Sequence, residues 1–145
     1  MTAVQHIEAE GRPSTILLVE DDPFLRVTTA DFLREGGYSV VEAASGDEAT
    51  TVLSSGTPVD AVFIDVNLPG AMGGLSLVVW IHNHHPSVPL ALTSGIKAVI
   101  PALKGQAAVP FLPKPYAPAE LLALLSRLIG EADSTRFQPR AAEPH

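Results

Sequence analysis

Residues 59–70 decide the fold, and their sequence is Val59-Asp60-Ala61-Val62-Phe63-Ile64-Asp65-Val66-Asn67-Leu68-Pro69-Gly70. The run from Ala61 to Ile64 is apolar throughout, which is typical of a strand buried on both faces of a sheet. Asp65 ends the run, and Asn67, Pro69 and Gly70 then indicate a loop. In open α/β sheets, ligands bind at the carboxyl ends of the strands. The stretch therefore predicts a carboxylate held at the ligand-binding edge of a sheet.

The composition is that of one globular domain. At 145 residues the chain can bury a full core, and 46% of its residues are hydrophobic. The net charge of −7 argues against a nucleic-acid-binding surface, and the absence of cysteine excludes disulfides and thiolate metal sites. No apolar run could span a membrane, and the N-terminus lacks a signal-peptide core. We therefore expect a cytoplasmic protein that binds neither nucleic acid nor membranes.

Strands and helices alternate along the chain. Thr15–Val19 is predicted to be a strand, and Asp22 before Pro23 predicts the N-cap of a helix that ends near Glu35. This helix is expected to bury Leu25, Thr29, Phe32 and Leu33. Further predicted elements are strand 38–43 at a sheet edge, a helix from Ser45 or Gly46 to Gly56, helix 75–84, strands 89–93 and 109–112, and a helix from Pro118 closed by Gly130. This alternation predicts an α/β fold, with one parallel sheet covered by helices on both faces.

The ends of the chain differ in character from its centre. Residues 1–14 are predicted to form a flexible N-terminal extension, residues 15–130 the folded domain, and residues 131–145 a disordered polar tail. Strict alternation requires a further helix over residues 97–105. Pro101 lies in the middle of that segment, so this helix is expected to be short or partly unwound.

Polar side chains follow several of the predicted strands and should meet at one edge of the sheet. They are Glu20 and Asp21, Asp65, Thr93 and Lys114. Crowded carboxylates repel each other, and a Mg²⁺ ion bound by oxygen ligands would relieve that repulsion. Glu20, Asp21, Asp65 and the main-chain carbonyl of Asn67 would form such a site. Asp65 could then attack phosphorus as a nucleophile, with the Lys114 ammonium and the Thr93 hydroxyl placed to bind phosphoryl oxygens.

The chain resembles a receiver domain of the bacterial response regulators, the family of the chemotaxis regulator. The resemblance covers about residues 15–130 and depends on four segments found in the order and spacing of the family: Val19–Pro23, Ile64–Gly70, Leu92–Gly95 and Phe111–Tyr116. It implies a doubly wound five-stranded sheet in the flavodoxin-like strand order 2-1-3-4-5. The loop after Asp65 is about one residue longer than is usual in the family, and Ser94 stands where alanine is commoner.

The resemblance also implies a function. Asp65 would accept a phosphoryl group from a phosphohistidine on a sensor histidine kinase or a histidine phosphotransfer protein, with Mg²⁺ as cofactor. Thr93 would be the switch hydroxyl and Phe111 the switch aromatic, and the Lys114–Pro115 peptide bond is expected to be cis. With no second domain in the sequence, we expect a single-domain response regulator that changes its contacts with a downstream protein. Homodimerisation through the last helix stays open.

Other functions compete with this one. An aspartyl-phosphate hydrolase of the haloacid dehalogenase type would need a second acid two residues after Asp65, where this chain has Asn67. A nucleotide or flavin binder would need a phosphate-binding loop in place of the acids after the first strand. A phosphorylation-independent docking scaffold would not need the acid, threonine and lysine set. His82 and His85 share a spacing that suits metal binding, but a solvated helix end is favoured because no further ligand is evident.

Overall fold

The computed structural model describes residues 12–95 and 109–137 of the chain. The elements are β1 (Thr15–Val19), α1 (Pro23–Glu35), β2 (Ser39–Ala43), α2 (Gly46–Ser54), β3 (Ala61–Asp65), α3 (Gly74–His84), β4 (Leu90–Ser94), β5 (Phe111–Pro113) and α4 (Pro118–Phe137). All strands are parallel and lie in the order β2-β1-β3-β4-β5. The predicted fold class, strand order and edge position of β2 are confirmed.

Two hydrophobic layers cover the two faces of the sheet. On one face, strand residues such as Leu17 and Ile64 pack against apolar side chains of α2 and α3. On the other face, residues such as Leu18 and Phe63 pack against α1 and α4. Every residue of β3 is buried. A strand that faces both layers has no solvent side, which explains why its sequence is apolar without alternation.

Helix α1 begins as the sequence predicts. The Asp22 carboxylate accepts hydrogen bonds from the main-chain N–H groups of Phe24 at 2.9 Å and Leu25 at 3.2 Å. Thr29 and Leu33 are buried as predicted and Phe32 is partly buried, but the prediction that Leu25 is buried is wrong, because that residue is 36% exposed. Leu25 lies in the first turn, beyond the edge of the sheet, so the sheet does not cover it.

Helix α4 continues past its predicted end. Gly130 does not close the helix, which runs to Phe137, and Gly130 does not have the positive φ of a glycine C-cap. A glycine within a helix costs only about 1 kcal/mol relative to alanine. The buried side chains of Leu121, Leu125 and Ile129 fix this helix against the sheet, and such packing outweighs the local preference.

Some sequence predictions fall outside the described ranges. These are the helix over residues 97–105, most of the N-terminal extension, and residues 138–145. Strand β5 begins at Phe111, two residues later than predicted. Within the described ranges, no helix combines the length and apolar character needed to cross a bilayer.

Candidate functional site

Asp65 lies at the centre of the sheet's carboxyl edge. It is the last residue of β3, its side chain is buried, and its register partner on β4 is Thr93. The Lys114 ammonium approaches from the loop after β5 and donates to Asp65 Oδ2 at 2.7 Å. The Lys114–Pro115 peptide bond is cis, as expected. The parallel sheet thus brings together groups that lie 49 residues apart in the sequence.

Three carboxylates gather beside the lysine. One oxygen each from Glu20, Asp21 and Asp65 lies within 4.8 Å of the other two. Glu20 and Asp65 are buried, whereas Asp21 is exposed. An open cluster of hard oxygen ligands that is accessible to water from one side suits Mg²⁺, which retains several of its waters when bound.

The three histidines at the end of α3 do not form a comparable group. Among the described residues, the acid cluster is the one set of three or more such side chains close enough to hold a metal ion. His84 instead stacks on the Trp80 ring, with the ring centroids 4.5 Å apart, and its Nδ1 lies 2.8 Å from the Trp80 carbonyl oxygen. This arrangement agrees with the favoured interpretation of these residues as a helix end.

The charges in the pocket perturb each other. Lys114 Nζ also lies 3.1 Å from Glu20 Oε1, so one ammonium pairs with two carboxylates. Burial, and then the negative charge of Asp65, raises the pKa of Glu20 above its ordinary value. Burial acts to lower the pKa of Lys114, but its hydrogen bond and charge contacts with Asp65 and Glu20 prevail and raise that pKa. The pocket therefore holds more negative charge than the lysine balances, which favours a bound cation.

Asn67 contacts Asp65 through its main chain. Its N–H donates to Asp65 Oδ1 at 2.9 Å, so each Asp65 oxygen has one protein donor. The Asn67 side chain turns toward β4, where its Oδ1 accepts a hydrogen bond from the buried Ser94 hydroxyl. Sequence reasoning did not predict this contact. The unusual serine after Thr93 was the one available signal.

Two glycines fix the ends of the loop that carries Asn67. A Cβ atom on Gly74 would lie 2.2 Å from the Cα of Val66, and a Cβ atom on Gly46 would lie 2.3 Å from the Met72 carbonyl oxygen. No side chain fits at either position, since real Cβ atoms do not approach so closely. The loop can therefore pack directly against the first turns of α2 and α3.

Thr93 and Phe111 occupy the positions expected of them along the strands. The Thr93 hydroxyl is completely buried and, within the described part of the chain, has no hydrogen-bond partner. A buried hydroxyl without a partner is costly unless a ligand satisfies it, so this atom fits a bound oxyanion beside Asp65. Phe111 is half-buried and packs against the core that faces α2 and α3.

An apolar surface borders the pocket, and the sequence did not reveal it. On α1, Phe24 is 77% exposed and Val27 is 49% exposed. Leu25, which lies between them in the sequence, lines a cleft of about 370 Å³ that also borders the segment Lys114–Tyr116.

Comparison with known proteins identifies the family. The sequence model of a protein family, the response regulator receiver domain, matches residues 16–126 of the chain. The chain therefore belongs to the response regulator receiver family of two-component systems.

Particular relatives show the same domain in longer proteins. The chain is 34% identical to the sensor kinase CckA of Brucella abortus, over 83% of this chain and 13% of that protein. It is 37% identical to the response regulator protein FleR of Pseudomonas aeruginosa, over 89% of this chain and 28% of that protein. The crystal structure of a response regulator receiver protein from Sinorhizobium medicae WSM419 superposes with a TM-score of 0.76 at 28% identity, covering 82% of this chain and 96% of that one. The chain thus spans less than a third of these two curated relatives.

Proposed function

We propose that Asp65 is a phosphoacceptor that takes a phosphoryl group from a phosphohistidine. The observation that carries this proposal is the contact between the buried Asp65 carboxylate and Lys114, beside two further acids. A carboxylate oxygen of Asp65 attacks phosphorus, and the phosphorus–nitrogen bond of the donor breaks. The donor nitrogen keeps the electron pair of that bond and takes a proton from water. The product is an acyl phosphate on Asp65.

The residues around Asp65 bind the transferred group. Lys114 is protonated at neutral pH because the ordinary lysine pKa of 10.5 already lies well above 7 and the carboxylates raise it further, so its ammonium can pair with a phosphoryl oxygen after transfer. The unpaired Thr93 hydroxyl can donate to another phosphoryl oxygen. Thr93 would then move with the phosphoryl group and Phe111 would follow it inward, which would couple the charge at Asp65 to the protein surface.

Mg²⁺ is the cofactor that the acid cluster fits. Glu20, Asp21, Asp65 and the Asn67 main-chain carbonyl would hold it. When bound, it neutralises the negative charge that the carboxylates and the phosphoryl group bring together.

The donor we propose is a sensor histidine kinase or a histidine phosphotransfer protein. Such a donor must bring its phosphohistidine to within bonding distance of Asp65. The exposed apolar side chains Phe24 and Val27 lie on α1, the helix that follows Glu20 and Asp21 in the chain, and would contact the donor around its histidine. The response would be a changed contact with a downstream protein. A cytoplasmic location and the absence of nucleic-acid contacts stay predictions.

Mass spectrometry tests the phosphoacceptor. Incubation with a small phosphodonor and Mg²⁺ should add one phosphoryl group to the wild-type chain. The Asp65→Asn variant should gain none, whereas Asp31→Asn, which changes an exposed aspartate on α1, should gain one as the wild type does. No gain in the wild type, or an equal gain in Asp65→Asn, would refute the proposal. Rapid turnover of the phosphodonor would favour the hydrolase instead.

A further inference from the structure

Ser94 joins two parts of the pocket that are distant in sequence. Its buried hydroxyl donates to Asn67 Oδ1 in the loop after β3, 27 residues away. Its main-chain carbonyl accepts the Lys114 N–H at 3.1 Å, on the other side of β4. One residue at the end of β4 is therefore hydrogen-bonded both to Asn67 and to Lys114.

These two neighbours are the groups that hold the Asp65 carboxylate. The Asn67 N–H donates to Oδ1, and the Lys114 ammonium donates to Oδ2. Ser94 touches neither oxygen in the hydrogen bonds described, but it fixes the residue on each side. Ser94 therefore connects, through hydrogen bonds, the two residues that bind the Asp65 carboxylate.

Among the described residues, the loop segment around Asn67 has few other contacts near Asp65 that would hold it in place. The loop is packed closely where Val66 meets Gly74 and where Met72 meets Gly46. Between these anchors, Asn67 and residues 69–71 are exposed. Within the described part of the chain, the hydrogen bond from the Ser94 hydroxyl to Asn67 Oδ1 is the side-chain contact that fixes this exposed stretch near Asp65. Its loss would leave the exposed Asn67 held near the pocket by the hydrogen bond from its own N–H to Asp65 Oδ1, and local opening of this stretch would become easier.

We infer that Ser94 is a positioning residue that, through the Asn67 side chain, holds the residue 67 main chain in place for metal binding and for phosphorylation of Asp65. The inference rests on the proposed function, in its metal half on the proposed Mg²⁺ site and in its second half on the proposed phosphorylation of Asp65. Because Ser94→Ala removes one hydrogen bond, we expect it to weaken Mg²⁺ binding and to slow phosphorylation by a small phosphodonor, each by about three- to tenfold.

A double-mutant cycle tests the inference. Ser94→Ala, Asn67→Ala and the double variant are compared with the wild type by calorimetric titration with Mg²⁺ and by phosphorylation rate. The double variant should be no worse than Asn67→Ala alone, because both changes remove the same contact. Ser94→Thr keeps the hydroxyl and should restore most of the affinity. The control, Ser126→Ala, changes an exposed serine on α4 and should leave both measurements unchanged.

The outcomes separate the two hypotheses. Urea unfolding of each variant shows whether its fold persists, and a loss of stability alone would not produce non-additive metal affinities. Wild-type Mg²⁺ affinity in Ser94→Ala, or additive losses in the double variant, would overturn the role of Ser94. If the wild type binds Mg²⁺ but accepts no phosphoryl group, the proposed function fails, and the metal titrations still decide the positioning role.

Discussion

Lys114 Nζ lies 2.7 Å from Asp65 Oδ2, and the same ammonium lies 3.1 Å from Glu20 Oε1. One cation thus pairs with two buried carboxylates at the carboxyl edge of the sheet. Replacing Lys114 with methionine would keep the length of the side chain and remove its charge. Because Glu20 and Asp65 would then repel each other without compensation, we expect a loss of about 2 kcal/mol in the free energy of unfolding. This is below the ~3–5 kcal/mol of a fully buried pair, since Lys114 is 23% exposed.

Urea denaturation with and without Mg²⁺ measures this effect. Saturating Mg²⁺ should restore part of the lost stability, because a bound cation replaces the missing charge. The matched control is Arg127→Met on the exposed surface of α4, which should change stability little. Equal stabilities for Lys114→Met and the wild type in metal-free buffer would contradict the electrostatic account.

Asp21 and Asp22 are adjacent exposed acids that we expect to behave differently. Asp21 belongs to the acid cluster, whereas the Asp22 side chain caps α1. Asp21→Asn should weaken Mg²⁺ binding by about tenfold or more, because a neutral amide is a poorer ligand for a hard cation. Asp22→Asn should leave the affinity nearly unchanged and keep the cap, because asparagine caps as well as aspartate. Calorimetric titration of both variants tests the assignment, and equal losses would contradict it.

Gly74 and Gly130 should respond to alanine in opposite directions. Gly74→Ala would place a Cβ atom 2.2 Å from the Val66 Cα, so we expect a loss of at least ~1–3 kcal/mol and a displaced Asp65 loop. A Cβ atom on Gly130 would meet nothing within 4 Å, and alanine there should stabilise α4 by up to ~1 kcal/mol. Thermal unfolding of the two variants gives the signs. A stabilised Gly74→Ala variant would show that the close approach of the loop is not required.

Tyr38 should make stability depend on alkaline pH. Burial raises the pKa of Tyr38 to about 12 from its ordinary value of 10.0. The folded protein therefore keeps the phenolic proton where the unfolded chain has lost it, and the Tyr38 contribution, fully present below pH 10, declines as the pH rises toward 12. Tyr38→Phe should remove this part of the pH dependence. The difference between the two stability profiles measures it, and parallel profiles across that window would contradict the prediction.

Substitution of the exposed apolar residues on α1 should slow phosphorylation of Asp65 by a protein donor but not by a small phosphodonor. Phe24→Ser and Val27→Ser should slow phosphotransfer from a histidine phosphotransfer protein by about tenfold, since anchors of this kind contribute 1 kcal/mol or more to docking. Their phosphorylation by a small phosphodonor should match the wild type. Val79→Ser, which changes an exposed apolar residue on α3, is the control and should affect neither reaction. Equal losses with both donors would indicate a damaged pocket instead of a docking surface.

The sequence alone determined the sheet and which side chains lie at its carboxyl edge. Apolar runs that end in Glu20, Asp65 and Thr93 predict buried parallel strands whose polar ends meet, because side chains at the carboxyl ends of such strands share one edge. Asp22 before Pro23 fixed the start of α1 by local capping chemistry. These features depend on neighbouring residues in the chain, so a single sequence contains them.

The tertiary structure decided what depends on distant contacts. It placed the Ser94 hydroxyl on Asn67, packed Gly74 and Gly46 against the loop, and left Leu25 exposed beyond the edge of the sheet. It also carried α4 past Gly130. In each case the outcome depends on which surfaces meet after folding, and contacts between distant segments outweigh local preferences of about 1 kcal/mol.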